Sequence, residues 1–395
     1  MSAINDTKKV WYAPNGLDVY GEQEITAVVE SLRKGWLAGF GEKTIEFEKQ
    51  MAELFGKEYG CFVNSGSSAN LLAIACLNLP DGCEIITPAC SFSTTLAPII
   101  QLCKNYVPVF CDVGLNTYVP TVDAVIAKVT DKTAAIMIPN LIGNKPNWNE
   151  LKARLVEMGR NDVYLIEDSC DTITKTDVTD VSTCSFYSSH IITTMGSGGI
   201  VMMNKQKHLK CALMYRDWGR IGDNNENVAD RFTYLIDDIP YDYKFIYGVK
   251  GYNFKSSEAN AAFGLVQIGK LKQNIEIRRK NIERYCENLK DIQELILPDD
   301  TQKSCWLAIP LQYHDRLGLL TYLESQNIQT RVLFAGNITR HFAFREYKED
   351  FTNADIIMRN GFLLGAHNCM TVEDVDYVCD KIKEYIIYNY DKVKK

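Results

Sequence analysis

The sequence has no long apolar run, no basic cluster and no signal-peptide core, and each absence excludes a class of protein. No apolar segment approaches the ~20 residues that a membrane-spanning helix needs, and the N-terminal residues lack the apolar core of a secretion signal. The net charge is −7 without clustered Lys and Arg, which argues against a nucleic-acid partner because phosphate binding needs such clusters. We therefore expect a cytoplasmic protein with neither a membrane nor a nucleic-acid partner.

Paired cysteines are also missing: thirteen cysteines are scattered along the chain, and no CxC or CxxC pair occurs. A large chain without a secretion signal is not expected to carry a disulfide framework. The spacing gives no signature of a metal or iron–sulfur site, so we predict no metal. Most of these cysteines are expected to be small buried hydrophobic residues.

Short apolar runs alternate with amphipathic segments through the first two-thirds of the chain. This alternation predicts an α/β fold with a mostly parallel sheet covered by helices. The predicted strands are residues 60–64, 83–87, 106–111, 134–138, 163–168 and 199–203.

The segment from Asp217 to Tyr247 interrupts this alternation, and its polar and aromatic composition predicts a long ordered excursion. A long helix is predicted from Ser256 to about Leu289, followed by mixed strands and helices. We therefore divide the chain into a large domain, residues 1–275, and a small α+β domain, residues 276–395.

Three local motifs could carry chemistry. Residues 64–70, NSGSSAN, lie between a strand and an apolar helix and could cradle a phosphate, although a plain Ser N-cap explains the motif better on its own. Asp168 ends a predicted strand at the edge where such folds bind ligands, and a capping or salt-bridged Asp is equally consistent. His190 lies in a Ser-rich turn, where a lone histidine is more often structural.

The order and spacing of these motifs together resemble the DegT/DnrJ/StrS sugar aminotransferases, a family of fold-type-I enzymes that use pyridoxal phosphate. Aminotransferase members carry SFxxxK, in which the lysine forms a Schiff base with the cofactor. Here His190 follows Ser185 at the lysine position, and no lysine occurs between Lys175 and Lys205. This replacement resembles the 3-dehydratase subgroup, which acts on nucleotide-linked 4-keto-6-deoxy sugars.

Other motifs support the resemblance, which covers nearly the whole chain. They are NLIGN at 140–144, Asp171 in place of a usual Gln, RDWGR at 216–220, GYN at 251–253 and residues 331–340. The resemblance implies an aspartate-aminotransferase-like large domain, which binds the cofactor, and the smaller α+β domain.

The resemblance also implies the cofactor contacts. It assigns the cofactor phosphate to Gly66, Ser67, Ser68 and Ser185. Phe92 would stack on the pyridine ring, Asp168 would pair with the ring nitrogen, and Asp171 would lie near the ring hydroxyl. Asn253 would reach in from a second subunit, which implies a homodimer with shared active sites.

Without a lysine, the resting cofactor is expected to be pyridoxamine 5′-phosphate, held non-covalently and interconverting with pyridoxal 5′-phosphate. The resemblance makes His190 the base that removes a proton from the cofactor, after which the sugar's C3 hydroxyl leaves. L-glutamate is the expected amino donor that regenerates the cofactor. The substrate-binding candidates are Arg216, Arg220, Arg331, Asn337 and Arg340, although for any single arginine an ordinary surface role is the default.

One departure from the subgroup concerns iron. Members that act on a CDP-linked sugar carry four cysteines after the RDWGR motif, which hold a [2Fe–2S] cluster, whereas this chain has no cysteine between Cys211 and Cys286. We therefore predict no cluster. The general likeness favours a CDP-sugar and the missing cluster favours GDP-sugar chemistry, so the nucleotide stays open. Three alternatives stay open. The chain could be an aminotransferase that uses another lysine, a degenerate member that only binds a nucleotide-sugar, or an enzyme that performs the dehydration and passes the product to another protein.

Overall fold

The computed structural model describes residues 9–14, 19–222, 227–299 and 305–393. At its centre is a seven-stranded sheet of order β1-β7-β6-β5-β4-β2-β3, in which only β7 runs antiparallel to its neighbours. The strands are β1 Tyr59–Val63, β2 Glu84–Pro88, β3 Val107–Cys111, β4 Thr133–Pro139, β5 Tyr164–Asp168, β6 Val181–Ser185 and β7 Gly199–Met203. The predicted α/β class and all six predicted strands are confirmed.

Helices cover this sheet and form much of the C-terminal part. In chain order they are α1 Glu22–Arg33, α2 Glu42–Phe55, α3 Gly66–Ala75, α4 Ser93–Gln101, α5 Val122–Ile126, α6 Trp148–Glu157, α7 Gln206–Arg216, α8 Val228–Arg231, α9 Glu258–Leu289, α10 Arg316–Ser325, α11 Thr352–Asn360 and α12 Val372–Val393. In the described part of the chain, no helix combines the length and apolarity needed to cross a membrane.

Helix α9, 32 residues long, leads from the large sheet to a small antiparallel one. The small sheet has the order β10-β12-β11, with β10 Ile309–Gln312, β11 Thr330–Val332 and β12 Gly361–Leu364. One continuous apolar core joins the two parts, so that Leu72 and Phe362 belong to the same cluster. The division near residue 275 falls inside α9 and stays a prediction.

The excursion after Asp217 contains a hairpin that was not predicted. Strands β8 Tyr234–Ile236 and β9 Ile239–Tyr241 pair through a two-residue turn. Asp237 and Asp238 both have positive φ, 49° and 68°, the pattern of a turn that usually contains glycine. All six strand residues are exposed. Residues 223–226 of this excursion lie outside the described residues.

The cysteines behave largely as expected. All are free thiols, most are buried, and Cys103 is exposed. Within the described ranges, no three His, Cys, Asp or Glu side chains converge as a metal site.

Candidate active site

A cavity of about 430 Å³ lies where the parallel strands β4 and β5 end and helix α3 begins. This edge is where folds of this type bind ligands. Many of the predicted site residues line it together: Gly66, Ser67, Phe92, Asp168, Asp171, Ser185, His190 and Arg331. A larger cavity of about 550 Å³ lies beside α1, and its lining is mostly apolar. We take the smaller cavity as the candidate site because it gathers acidic, basic and hydroxyl groups.

The start of helix α3 forms one end of the cavity. Ser65 caps the helix by accepting a hydrogen bond from the Ser68 backbone N–H at 3.1 Å. A Cβ at Gly66 would lie 2.6 Å from Cβ of Ser185 and 2.8 Å from Sγ of Cys170, so only glycine permits this close approach. The helix N-terminus and the neighbouring hydroxyls favour an anion. This end therefore suits a phosphate group.

Ser68 lies beside the cavity, and its predicted contact with the cofactor phosphate stays a prediction. Its hydroxyl donates to Oδ1 of Asn64 at 2.7 Å and lies 3.0 Å from Oγ of Ser65. Ser68 does not line the cavity. It stabilises the turn before α3, while Ser65, which was not predicted, lines the cavity.

Asp168 ends strand β5 and is almost fully buried. Its Oδ2 accepts hydrogen bonds from Asn70 at 2.8 Å and Thr95 at 2.7 Å, and its Oδ1 accepts one from the Cys170 backbone N–H at 3.2 Å. Asn70 is itself held by the Thr183 hydroxyl at 2.6 Å. A buried carboxylate with fixed orientation can pair with a protonated ring nitrogen, such as that of the pyridine ring of the expected cofactor. Asn70 and Thr95 are site residues that the sequence reasoning missed, although Asn70 ends the NSGSSAN motif.

His190 lies in the loop between β6 and β7. Its Nδ1 lies 2.7 Å from the backbone carbonyl oxygen of Cys170. Because a carbonyl only accepts hydrogen bonds, Nδ1 carries the proton of the neutral ring and Nε2 keeps its lone pair. Burial, reinforced by the nearby charge of Arg278, lowers the pKa of His190 to about 4. The imidazole is therefore neutral at physiological pH and can accept a proton.

Asp171 holds an unusual turn beside the cavity. Its Oδ2 accepts a hydrogen bond from the backbone N–H of Ile142 at 2.8 Å. Ile142 has φ of 61°, which is strained for a β-branched residue. Burial raises the pKa of Asp171 to about 7, although the bond from Ile142 opposes this. The carboxyl group can therefore donate a hydrogen bond near neutral pH.

Two predicted substrate-binding residues are buried structural residues instead. Arg216, whose side chain is 2% exposed, donates to both carboxylate oxygens of Asp217 and to the carbonyl of Phe62. Asn337 is fully buried and bonds Thr339 and Asp355. Neither side chain reaches the cavity, since their polar groups are already used inside the protein.

The remaining predicted residues also lie away from the cavity of this chain. Arg340 forms ion pairs with Asp350 and Asp355. Arg220 stacks on the rings of Trp218 and Phe245, with its guanidinium carbon 4.6 Å and 5.1 Å from their centres. Asn253 is exposed and forms an isolated bridge with Asp217. The role of Asn253 toward a second subunit stays a prediction.

Tyr12 lines the cavity but was not predicted. Its backbone N–H donates to Oε1 of Gln329 at 3.1 Å, and His367 holds the preceding carbonyl, that of Trp11, at 3.1 Å. The guanidinium of Arg331 lies 5.5 Å from the centre of the Tyr12 ring. The N-terminal segment is thus fixed to the small sheet's part of the protein. Only the tertiary structure brings Tyr12 to the site.

The fold and the cavity together define an α/β enzyme with an anion-binding helix end, a buried carboxylate and a neutral histidine. The sequence profile of the DegT/DnrJ/EryC1/StrS aminotransferase family matches residues 18–383. The chain belongs to this family, which confirms the predicted resemblance.

Several relatives are similar over nearly the full length. The lipopolysaccharide biosynthesis protein RfbH of Salmonella typhimurium is 35% identical over 95% of this chain and 92% of its own length. The dTDP-4-dehydro-2,6-dideoxy-D-glucose 3-dehydratase of Saccharopolyspora spinosa is 35% identical over 94% and 86%. The solved structure of Escherichia coli GDP-4-keto-6-deoxy-D-mannose-3-dehydratase with bound hydrated PLP has a TM-score of 0.83 and 28% identity, covering 95% of this chain and 99% of that one.

Proposed function

We propose that the chain is a pyridoxamine/pyridoxal phosphate-dependent 3-dehydratase of a nucleotide-linked 4-keto-6-deoxyhexose in deoxysugar biosynthesis. The observation that carries this proposal is a neutral histidine, His190, at the position where family aminotransferases have their lysine. Among the described residues no lysine lines the cavity. Relatives whose names include 3-dehydratase activity support the same reading.

The cavity residues fit the cofactor. Gly66, Ser67 and Ser185 would hold its phosphate at the helix end, and Asp168 would pair with its ring nitrogen. Phe92, which is half exposed and edge-on to another aromatic ring, would cover the ring face. When bound, the cofactor supplies an electron-accepting ring next to the substrate. Because the described residues that line the cavity include no lysine, these contacts would hold it without a covalent bond.

His190 would then act first as a base, which accepts a proton, and afterwards as an acid, which protonates the departing C3 hydroxyl. Nε2 accepts a proton, while the Cys170 carbonyl keeps the ring oriented through Nδ1. The imidazole is neutral at working pH because its pKa is about 4. After accepting a proton the ring is a comparatively strong acid, which suits protonation of the departing C3 hydroxyl. Asp171, which lines the cavity, would donate to the ring hydroxyl of the cofactor.

We propose L-glutamate as the amino donor. A solved structure of the related GDP-4-keto-6-deoxymannose-3-dehydratase was captured with PLP and glutamate trapped together, at a TM-score of 0.82 and 27% identity. The chain has no cysteine between Cys211 and Cys286 for an iron–sulfur cluster. The product would therefore be released by hydrolysis with loss of ammonia, without a reductive step.

A homodimer with shared active sites is part of this proposal. Exposed apolar residues lie on α1 and on the segment after it: Ile25, Val29, Leu32, Trp36 and Leu37. The exposed β8–β9 hairpin and the apolar cavity beside α1 offer further surface for a second copy. Asn253 and Arg220 lie outside the cavity of their own chain and would reach the cavity of the second subunit. A cytoplasmic location and the domain division at residue 275 belong to the same proposal.

The competing function is that of an aminotransferase that uses some other lysine. Reduction of the PLP-loaded protein with borohydride, followed by peptide mapping, separates the two. The proposal expects no lysine–cofactor adduct, and an adduct on any lysine supports the aminotransferase. A panel of GDP-, CDP- and dTDP-linked 4-keto-6-deoxyhexoses with glutamate then identifies the nucleotide. Binding without turnover across that panel would indicate a protein that only binds nucleotide-sugars.

A further inference from the structure

Arg278 is a fully buried arginine on helix α9, behind the loop that carries His190. Its Nη1 donates to the carbonyl of Leu307 at 2.9 Å and its Nη2 to the carbonyl of His190 at 3.4 Å. Its Nε has no hydrogen-bond partner among the described residues. The ion pairs found within the described ranges include none between Arg278 and a carboxylate.

A buried guanidinium without a carboxylate partner is unfavourable for folding. An apolar side chain of similar length would fill the same space without desolvating a charge. Both carbonyls that Arg278 holds belong to cavity-lining residues, His190 and Leu307. Arg278 itself does not line the cavity. Its hydrogen bonds instead hold the backbone of two residues that do.

The groups around His190 come from several elements. Asp168, Cys170 and Asp171 lie at the end of β5 and just after it, and Tyr187 lies in the same loop as His190. Two further residues of the cavity wall, Tyr12 and Arg331, come from the N-terminal segment and from β11. Burial lowers the pKa of His190 most, and the charge of Arg278 lowers it further.

We propose that Arg278 is a positioning residue for His190: it holds the backbone carbonyl of His190 from outside the cavity and touches no ligand itself. This inference rests on the proposed role of His190 as the base. The nearby charge of Arg278 also disfavours the imidazolium, so the ring stays ready to accept a proton even at mildly acidic pH. The two contacts hold different parts of His190, since Arg278 holds its backbone carbonyl and the Cys170 carbonyl holds its ring.

The test compares Arg278→Gln, which keeps a donor but loses the charge, with Arg278→Lys, which keeps the charge. The titration of His190 is followed by NMR on ¹³C-histidine-labelled holoenzyme, and a His190→Asn sample identifies its signal among the five histidines. In Arg278→Gln we expect the titration and the acid limb of kcat/KM to move to higher pH by about one pH unit, with substrate KM near that of the parent. Arg278→Lys should stay near the parent.

Arg279→Met is the matched control, since Arg279 is the next residue of the same helix and is exposed. The titration curve of His190 in Arg279→Met should equal that in the parent. An unchanged His190 titration in Arg278→Gln, or an equal change in Arg278→Lys, would overturn the proposal. If Arg278→Gln does not fold, the parent alone still tests it, because a parental His190 that titrates near pH 6.5 contradicts it. The NMR readout does not need turnover, so an inactive enzyme with the expected titrations would reject the proposed function and not the role of Arg278.

Discussion

The backbone carbonyl of Cys170 accepts a hydrogen bond from Nδ1 of His190 at 2.7 Å, and this contact decides which nitrogen can act as a base. Cys170 follows Asp168 by two residues, so the segment that holds the buried carboxylate also sets the histidine tautomer. The proton acceptor is thereby aligned with the same cavity in which Asp168 and the start of α3 would hold the cofactor.

Removing the imidazole should slow turnover strongly and leave cofactor binding intact. His190→Asn is expected to lower kcat by about 10²- to 10⁴-fold, the range for loss of a general base. Cofactor affinity, measured by absorbance titration, should change little because the phosphate and ring-nitrogen contacts remain. His314→Asn, at an exposed histidine, is the control and should have the parental kcat. A His190→Asn variant with near-parental kcat would remove His190 from the mechanism.

Gly66→Ala should weaken cofactor binding. The added Cβ would lie 2.6 Å from Cβ of Ser185 and force the start of α3 away from strand β6. We expect the Kd for pyridoxamine phosphate to rise at least tenfold, which corresponds to about 1.4 kcal/mol. Gly269→Ala is the matched control, since nothing lies within 4 Å of a Cβ there and helix propensity favours alanine. Equal Kd values for the two variants would show that the close approach is unimportant.

His367 should make the protein less stable as the pH falls. Burial, and then the charge of Arg278, lowers the pKa of His367 to about 4, below the ordinary value of 6.5. Between these values the unfolded chain binds a proton and the folded chain does not, so the free energy of unfolding falls with falling pH. His367→Gln should remove a contribution of about 1.4 kcal/mol per pH unit from that dependence.

Urea unfolding of parent and variant at pH 7, 6 and 5 measures this contribution. The comparison of the two proteins cancels the opposite contribution of Asp171 and Glu48, carboxyl groups whose pKa burial raises to about 7. Identical pH dependences in parent and variant would show that folding does not shift the pKa of His367, which contradicts this prediction.

Substitution of two predicted arginines should have different effects, one on substrate binding and the other on stability. Arg331 lines the cavity, so Arg331→Gln should raise the substrate KM about tenfold through loss of a charged contact. Arg216 is buried in an ion pair with Asp217, so Arg216→Gln should cost about 3–5 kcal/mol of stability. Steady-state kinetics and urea unfolding distinguish these effects. The opposite pattern would return Arg216 to the substrate-binding set.

Much of this site can be predicted from the sequence, because its motifs lie at or just after the ends of strands that apolar runs reveal. Apolar runs mark β1 to β5 and β7, whereas β6 was missed because Val181–Ser185 consists mostly of small polar residues. The spacing of motifs that resemble the family predicted Asp168 and His190 as site residues, and both line the cavity. Tyr12 carries no such signal, because the contacts that fix its segment join its N–H to Gln329 and the Trp11 carbonyl to His367, far along the chain.

The predicted residues that lie away from the cavity could not be recognised from the sequence. Arg216 and Asn337 lie in motifs shared with relatives, but a motif does not reveal whether a polar side chain faces a ligand or a buried partner. The carboxylates that use these groups, those of Asp217 and Asp355, are recognised as partners only from the folded structure.

The central claim is dehydration at C3 in place of amination at C4, and product analysis tests it most directly. The protein, loaded with pyridoxamine phosphate and supplied with glutamate, is incubated with the accepted nucleotide-linked 4-keto-6-deoxyhexose. The product is then examined by proton NMR and mass spectrometry. The account predicts a 3-deoxy sugar with a methylene group at C3, a ketone at C4 and released ammonia. A product with its C3 hydroxyl intact and an amino group at C4 would contradict it.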